Sequence, residues 1–194
     1  PKHKVVRSIL KEISFPLAMP SANTSSNLSP VNAKDVFDEF KHKVRFILDG
    51  GKSRVGIEST VIDLTGSPKI LRPGVIDKNM LEKILRTSIE ENKSKTLKSP
   101  GMMRKHYYPG IPVLIDQKKY IKDSAYLYLG KKYKQRKNFF SLSEDSDLDE
   151  AASKLYKTFR LVKKKGYKRI QISEIPNKGS GIAINDRIKR ASRF

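Results

Sequence analysis

Residues 147–172 read DLDEAASKLYKTFRLVKKKGYKRIQI, and the architecture of the second half follows from them. Leu148, Ala151, Ala152, Leu155, Phe159 and Val162 recur at three- and four-residue spacing, which puts them on one face of a helix. Asp147 with Glu150 forms a capping box at its start. Lys163 to Lys165 occupy the last turn, where the helix dipole favours cations, and Gly166 stops the helix. Arg169 to Ile172 then reads as a strand. Upstream, Val113–Ile115 and Ala125–Leu129 read as strands, and downstream Gly181–Ala191 reads as a last helix. Strands alternating with helices define an α/β unit.

The first half carries a second set of elements. Val6, Ile9, Leu10 and Ile13 lie at helical spacing, so Lys4 to Ile13 reads as a short amphipathic helix. Phe15 to Pro20 holds two prolines and suits an extended edge segment. A polar loop, Ser21 to Ser29, leads to Pro30 at a helix start, with Ala33, Val36, Phe37 and Phe40 on the apolar face. Val44 to Leu48 reads as a strand closed by Asp49-Gly50-Gly51. Thr60–Leu64 and Ile70–Leu71 flank the turn Thr65-Gly66-Ser67-Pro68, a hairpin pattern. Asp77 caps a helix carrying Met80, Leu81, Ile84 and Leu85. From Arg86 to Ser99 the chain turns polar and reads as a linker.

The 194 residues suffice for one large or two small domains with a real core. With 37% hydrophobic residues and no apolar run near the roughly 20 needed to span a bilayer, the chain reads as cytoplasmic, with no membrane partner. There is no cysteine, which excludes disulfides, thiolate catalysis and cysteine zinc sites. The chain opens on Pro1 directly before a helical pattern, so missing upstream sequence is expected. The formal charge of +21 suits an anionic partner such as nucleic acid or nucleotide. A general lysine bias, spread along the chain, explains it equally well.

Four segments carry residues suited to chemistry. Pro20-Ser21-Ala22-Asn23 with Ser29-Pro30 sets small hydroxyl and amide donors on a loop entering a helix, as phosphate or carboxylate binding needs. The plain reading is a capped polar loop. Gly56-Ile57-Glu58-Ser59-Thr60 precedes a strand, where glycine lets a ligand approach the backbone. Arg72-Pro73-Gly74 puts a guanidinium beside a turn, pre-oriented for a phosphate, or leaves a surface arginine. Pro100-Gly101 with His106-Tyr107-Tyr108-Pro109 places aromatics and a histidine in the linker, either over a ligand or packed on a domain.

Together, in this order, the segments resemble the threonylcarbamoyl-AMP synthase family, of YrdC type, in its long two-domain form. The family's Pro-Ser-Ala-Asn loop, its Gly-x-Glu-Ser-Thr-Val, its Arg-Pro-Gly and its Pro-Gly-Met linker with a His-Tyr-x-Pro element correspond to Pro20–Pro30, Gly56–Val61, Arg72–Gly74 and Pro100–Pro109. Pro1-Lys2-His3 looks like the end of an Arg-x-Pro-x-His segment. Gly179 to Arg187 matches the closing Gly-x-Gly-x-Ala-x-x-Asp-Arg. The resemblance implies an α/β fold: an incomplete YrdC-type twisted open sheet over 1–85, a linker over 86–110 closing on the active site, and a small Rossmann-like α/β domain over 111–194.

It further implies synthesis of threonylcarbamoyl-adenylate from L-threonine, bicarbonate or CO2, and ATP with Mg²⁺, but no protein-held metal. A threonylcarbamoyltransferase would pass the product to tRNA. By motif correspondence Ser21, Asn23, Ser29, Arg72, His106 and Tyr107 bind ATP, and Met19, Ser59 and Thr60 bind threonine. None of these is an obvious general base. Two departures stand out. The family's upstream Lys-x-Arg segment is absent, so the chain by itself is expected to be inactive and to need an N-terminal fragment. Ser26 replaces a glycine of the loop, at a cost if that position needs positive φ. Weak binding of tRNA or double-stranded RNA is a further expectation, and the rival readings are a YrdC-type paralogue that binds RNA or nucleotide without making the adenylate and an inactive remnant of a split gene.

Overall fold

The computed structural model of the chain describes residues 2–91, 103, 105–115, 117, 119–133 and 136–194. Pro1 and the Pro100-Gly101-Met102 motif lie outside them. The first helix, α1 (Lys4–Glu12), follows the expected pattern. The second, α2 (Ala33–Phe40), starts at Asn32 rather than Pro30. Two reciprocal bonds set that start: Asp35 N–H donates to the Asn32 side chain (2.9 Å), and Val31 N–H donates to the Asp35 carboxylate (2.9 Å).

The strand expected at Val44–Leu48 does not form. A 3₁₀ turn at Lys41–Lys43 leads instead into irregular chain, with Phe46 88% and Leu48 67% exposed. A strand needs a neighbour's N–H and C=O groups along its edge, and no described segment pairs with this one.

Strands β1 (Val61–Asp63) and β2 (Lys69–Arg72) form the expected antiparallel hairpin. The next helix, α3 (Lys78–Leu85), begins at Asp77, whose side chain accepts Met80 N–H at 2.9 Å. The polar stretch read as linker starts with a short strand, β3 (Glu90–Glu91), which runs parallel to β2. Its polar sequence hid it. Ile89, 2% exposed, anchors it, and Glu90 N–H donates to Pro68 carbonyl at 2.9 Å.

The second half builds β4 (Val113–Leu114), β5 (Ser124–Leu129), β6 (Phe139–Ser143), α4 (Leu148–Lys164), β7 (Arg169–Ile172) and α5 (Ser180–Ala191). The four strands are parallel, in the order β4-β7-β5-β6. Strand β6, Phe-Phe-Ser-Leu-Ser, has neither helical nor clean two-residue periodicity and escaped the sequence reading. The capping box at α4 is only half made. Glu150 N–H donates to Asp147, but Asp147 N–H donates to Ser143 Oγ (2.9 Å), and the Glu150 carboxylate pairs with Lys154. Gly166, at φ +83°, ends the helix as expected.

The core lies between this sheet and its two helices. Ala125, Leu127, Ile170 and Ile172 meet Leu155 and Phe159 of α4 and Ala183 and Ile184 of α5. By contrast, α1, α2 and α3 bury no residue fully. Leu28, Ile57 and Tyr107 join the core of the second half across the chain. Gly56 makes that approach possible. At φ +78°, an added Cβ would stand 2.6 Å from the Ser153 backbone on α4. No helix among the described residues is long and apolar enough to cross a membrane.

Ser26 does sit in the left-handed region, at φ +71°. Its carbonyl accepts Tyr108 N–H (2.8 Å), and Asn27 bridges Tyr108 in parallel, so the loop cannot relax without losing those bonds. Ser26→Gly should raise unfolding stability by about 0.5–1 kcal/mol in urea titration. Gly56→Ala should lower it by at least about 2 kcal/mol, since left-handed strain and a backbone clash coincide.

Candidate active site

A buried carboxylate organises the region. Glu58 accepts Ser29 Oγ–H at 2.6 Å, the Tyr156 hydroxyl at 3.0 Å and Arg187 Nε–H at 2.9 Å. Arg187 also donates to the Glu58 carbonyl at 3.3 Å and to Asp186 at 2.8 Å. Its side chain is fully buried, with the guanidinium 5.2 Å from the centre of the Tyr107 ring. Burial pushes the Glu58 carboxyl up. The Arg187 charge and the hydrogen bonds from Ser29 and Arg187 outweigh it, so its pKa falls below the ordinary 4.5 and it stays ionised. Burial pushes the Tyr107 hydroxyl up to about 12. Burial and the Glu58 charge raise Tyr156 well above its usual value.

Beside this cluster, Arg72 donates Nε–H to the Ser59 carbonyl at 3.0 Å and Nη2–H to Ser59 Oγ at 3.4 Å. The turn at Gly74 seats it: a Cβ there would lie 2.2 Å from Thr60 nitrogen, so the Arg-Pro-Gly turn packs directly on the Ser59–Thr60 backbone. Thr60 gives its hydroxyl to the Ile76 carbonyl at 2.6 Å. The His106 ring stands 4.0 Å from that of Tyr107. Its pKa is lowered, first by burial and then by Arg190, Arg187 and Arg72 against the opposing charge of Glu58, which leaves it neutral at pH 7. Tyr107 holds φ +63°, a strained conformation for a bulky residue.

Asn23 donates its amide to the carbonyls of Thr24 (2.8 Å) and Asn27 (3.2 Å), closing the loop. Among the described residues, Asn23 Oδ1, His106 Nδ1 and the Tyr107 hydroxyl are buried without a hydrogen-bond partner, as are Ser124 Oγ and Arg160 Nη1. Each such atom costs about 1–3 kcal/mol unless a ligand or water satisfies it.

The structure thus groups Ser29 with Glu58, Ser59 with Arg72, and His106 and Tyr107 beside Arg187. The side chains of Met19, 62% exposed, and of Ser21 face solvent. A cleft of about 840 Å³ lies elsewhere, between α1 and residues 30–36 and 47–54. It is lined by side chains left uncovered there and by none of Ser59, Arg72 or His106. The sequence reading gave no role to Glu58, Tyr156 or Arg187. Glu58 and Arg187 stood inside quoted motifs, but a charge 129 residues from its partner gives no local signal of burial.

Comparison with known proteins fits this geometry. Residues 76–193 match the family model "Threonylcarbamoyl-AMP synthase, C-terminal domain", and residues 1–74 match the one described as "Telomere recombination". The threonylcarbamoyl-AMP synthase of Pyrococcus abyssi is 30% identical, over 100% of this chain and 63% of its own length. That of Bacillus subtilis is 27% identical, over 99% and 61%. A crystal structure of P. abyssi Sua5 complexed with L-threonine aligns at TM-score 0.82 and 30% identity, covering 99% of this chain and 62% of that one. A second P. abyssi Sua5 structure, with a histidine and the adjacent tyrosine replaced by alanine, aligns at TM-score 0.79 and 28% identity, covering 99% and 61%. The chain belongs to the threonylcarbamoyl-AMP synthase family. It spans about three fifths of the length of the curated relatives it matches.

Because the folded pKa of Glu58 is depressed, the stability it contributes is present above the ordinary carboxylate value. It is lost as pH falls through the lower folded value. Glu58→Gln strips the buried Arg187 of one of its two carboxylates and leaves it only Asp186, so it should cost about 3 kcal/mol at pH 7 in urea unfolding. The deficit relative to the parent chain should shrink as pH drops below 4.5.

Proposed function

We propose that this chain carries the threonine- and nucleotide-contacting part of a threonylcarbamoyl-AMP synthase. In the reaction, the amine of L-threonine adds to CO2 with release of a proton, or to bicarbonate with loss of water, to give a carbamate. A carbamate oxygen then attacks the α-phosphorus of ATP, the new P–O bond forms, and the bond to pyrophosphate breaks. The threonylcarbamoyl-adenylate passes to a tRNA-modifying threonylcarbamoyltransferase. The observation that carries the reading is Arg72 fixed on Ser59, in a chain that follows a threonine-complexed relative over 99% of its length.

In this reading Ser59, Thr60 and the Met19 backbone hold threonine, and Ser21, Asn23, Ser29 and Arg72 hold the nucleotide. A guanidinium already pinned by Nε and Nη2 meets a phosphate with little reorganisation. His106, neutral, and Tyr107, protonated, add hydrogen-bonding groups without adding charge. Rate enhancement then comes from alignment and electrostatics rather than from a titrating acid–base pair. Mg²⁺ belongs to the substrate as MgATP. The described residues include no group of three or more His, Asp or Glu arranged to hold it.

The test is pyrophosphate release from MgATP with L-threonine and bicarbonate, using the chain as it stands and the chain joined to the further length its relatives carry. Threonine-dependent release is expected in the longer form. Arg72→Ala should cut kcat/KM at least about tenfold while circular dichroism stays unchanged. Release that ignores threonine, or that survives Arg72→Ala at full rate, would overturn the reading.

A further inference from the structure

The parallel sheet of the second half has two unlike faces. Ala125 and Leu127 of β5 point into the core against α4 and α5, so the alternate residues Tyr126 and Tyr128 stand on the opposite face. There they meet Phe139 of β6 and Tyr133 of the β5–β6 loop. Ring centres lie 4.8 Å apart for Tyr126–Phe139, 4.9 Å for Tyr133–Phe139 and 5.2 Å for Tyr128–Tyr133. Tyr120, 42% exposed, extends the array by stacking on Phe139 at 5.5 Å. Five rings therefore form one contiguous surface, graded from the buried Tyr128 to the open Tyr120.

Cations surround it. Lys132 lies 5.4 Å over the Tyr133 ring, and Arg136 lies 5.7 Å over Tyr133 and 5.3 Å over Phe139. Lys119, Lys122 and Lys137 are exposed in the same two loops, where Asp123 is the one acidic residue among those described. Lys131 is paired with Asp145 at 2.8 Å and so contributes less. Ordinary coverage of a sheet face accounts for Tyr128. The Tyr120 hydroxyl donates to the Ser124 carbonyl at 2.9 Å and accepts from the Asn138 amide, which fixes the ring but leaves its open face and the exposed cations over the neighbouring rings without a structural role.

We infer that this face binds single-stranded RNA, with unpaired bases stacking on Tyr120 and the neighbouring rings while Lys132, Arg136 and Lys137 engage phosphates. Aromatic rings accept any base face, and the surrounding charge follows the backbone, so recognition is of unpaired nucleic acid rather than of sequence. An acidic peptide would satisfy the charge and leave the rings without purpose. A duplex would satisfy the phosphates and keep its bases stacked on one another. The choice of RNA over DNA rests on the tRNA-directed function proposed above; the stacking surface does not.

The experiment is fluorescence anisotropy of a labelled single-stranded RNA of about 12 nucleotides, without ATP or threonine, so that failure here and failure of the synthase reading are distinct. The parent chain should bind at about 50 mM salt and weaken steeply as salt rises. Combined Lys132→Gln, Arg136→Gln and Lys137→Gln should weaken binding at least about tenfold and reduce the log–log salt slope by about 2. A matched set of exposed lysines in the first half, Lys11→Gln, Lys41→Gln and Lys43→Gln, should change it far less. Tyr120→Ala should weaken binding at least about fivefold, and Tyr120→Phe should restore it. Equal losses from the two lysine sets, an unaffected Tyr120→Ala, or equally tight binding of duplex RNA or polyglutamate would overturn the proposal. Tighter binding of single-stranded DNA than of RNA would overturn the assignment to RNA.

Discussion

The ion pair between Glu58 and Arg187 joins the two halves of this protein at the point where its candidate chemistry lies. A carboxylate and a guanidinium buried together are stable only if their remaining hydrogen-bonding capacity is met. Here Ser29, Tyr156, Asp186 and the Glu58 carbonyl meet it. Ser29 donates to the Glu58 carboxylate and Ser59 follows Glu58 in the chain, so the pair sets where both hydroxyls stand. Arg160 reinforces it from the next turn of α4, donating to the carbonyls of Leu28 and Ser29 at 2.9 Å each and lying 3.4 Å from Asp35. The loop from Ser21 to Pro30 is thereby held from the second half as well as by its own bonds and by Glu39 of α2, which accepts Thr24 N–H at 2.9 Å and the Asn27 amide at 2.8 Å.

That dependence matches an uneven distribution of the core. Helices α4 and α5 each turn a full apolar stripe into a shared interior. The helices of the first half do not, and Phe46, Ile84 and Leu48 remain largely in solvent. Stability therefore concentrates in the parallel sheet and its helices, and the first half inherits order through Gly56, Leu28, Ile57 and Tyr107. A site assembled at such a seam joins a firm platform to a more yielding partner, an arrangement suited to admitting and then enclosing a substrate.

Charge plays two separate roles. Among the described residues the fully buried charge, Arg187, is engaged by Glu58 and Asp186, whereas most lysines are exposed. Surface pairs such as Lys34–Asp38 and Lys131–Asp145 contribute little to stability. The excess matters only where cations cluster with something else a ligand could use, as they do over the rings of β5 and β6.

Local rules were sufficient for much of this protein. The stripe from Leu148 to Val162, the caps at Asp77 and Asp147, the stop at Gly166 and the hairpin around Gly66 depend on neighbours a few residues apart, and the sequence alone determined them. So did the family, because several weak motifs in one order are jointly specific. The tertiary structure decided everything that depends on distant partners. Val44–Leu48 has strand-like residues and no described strand beside it. Glu90–Glu91 looks like linker and becomes a strand because Ile89 is buried. Ser26 bears a strained φ because Tyr108 bonds its carbonyl. Glu58 becomes the centre of the site only when Arg187, 129 residues away, is folded against it. Periodicity encodes which face of an element is apolar; it carries no record of which charge that face will meet.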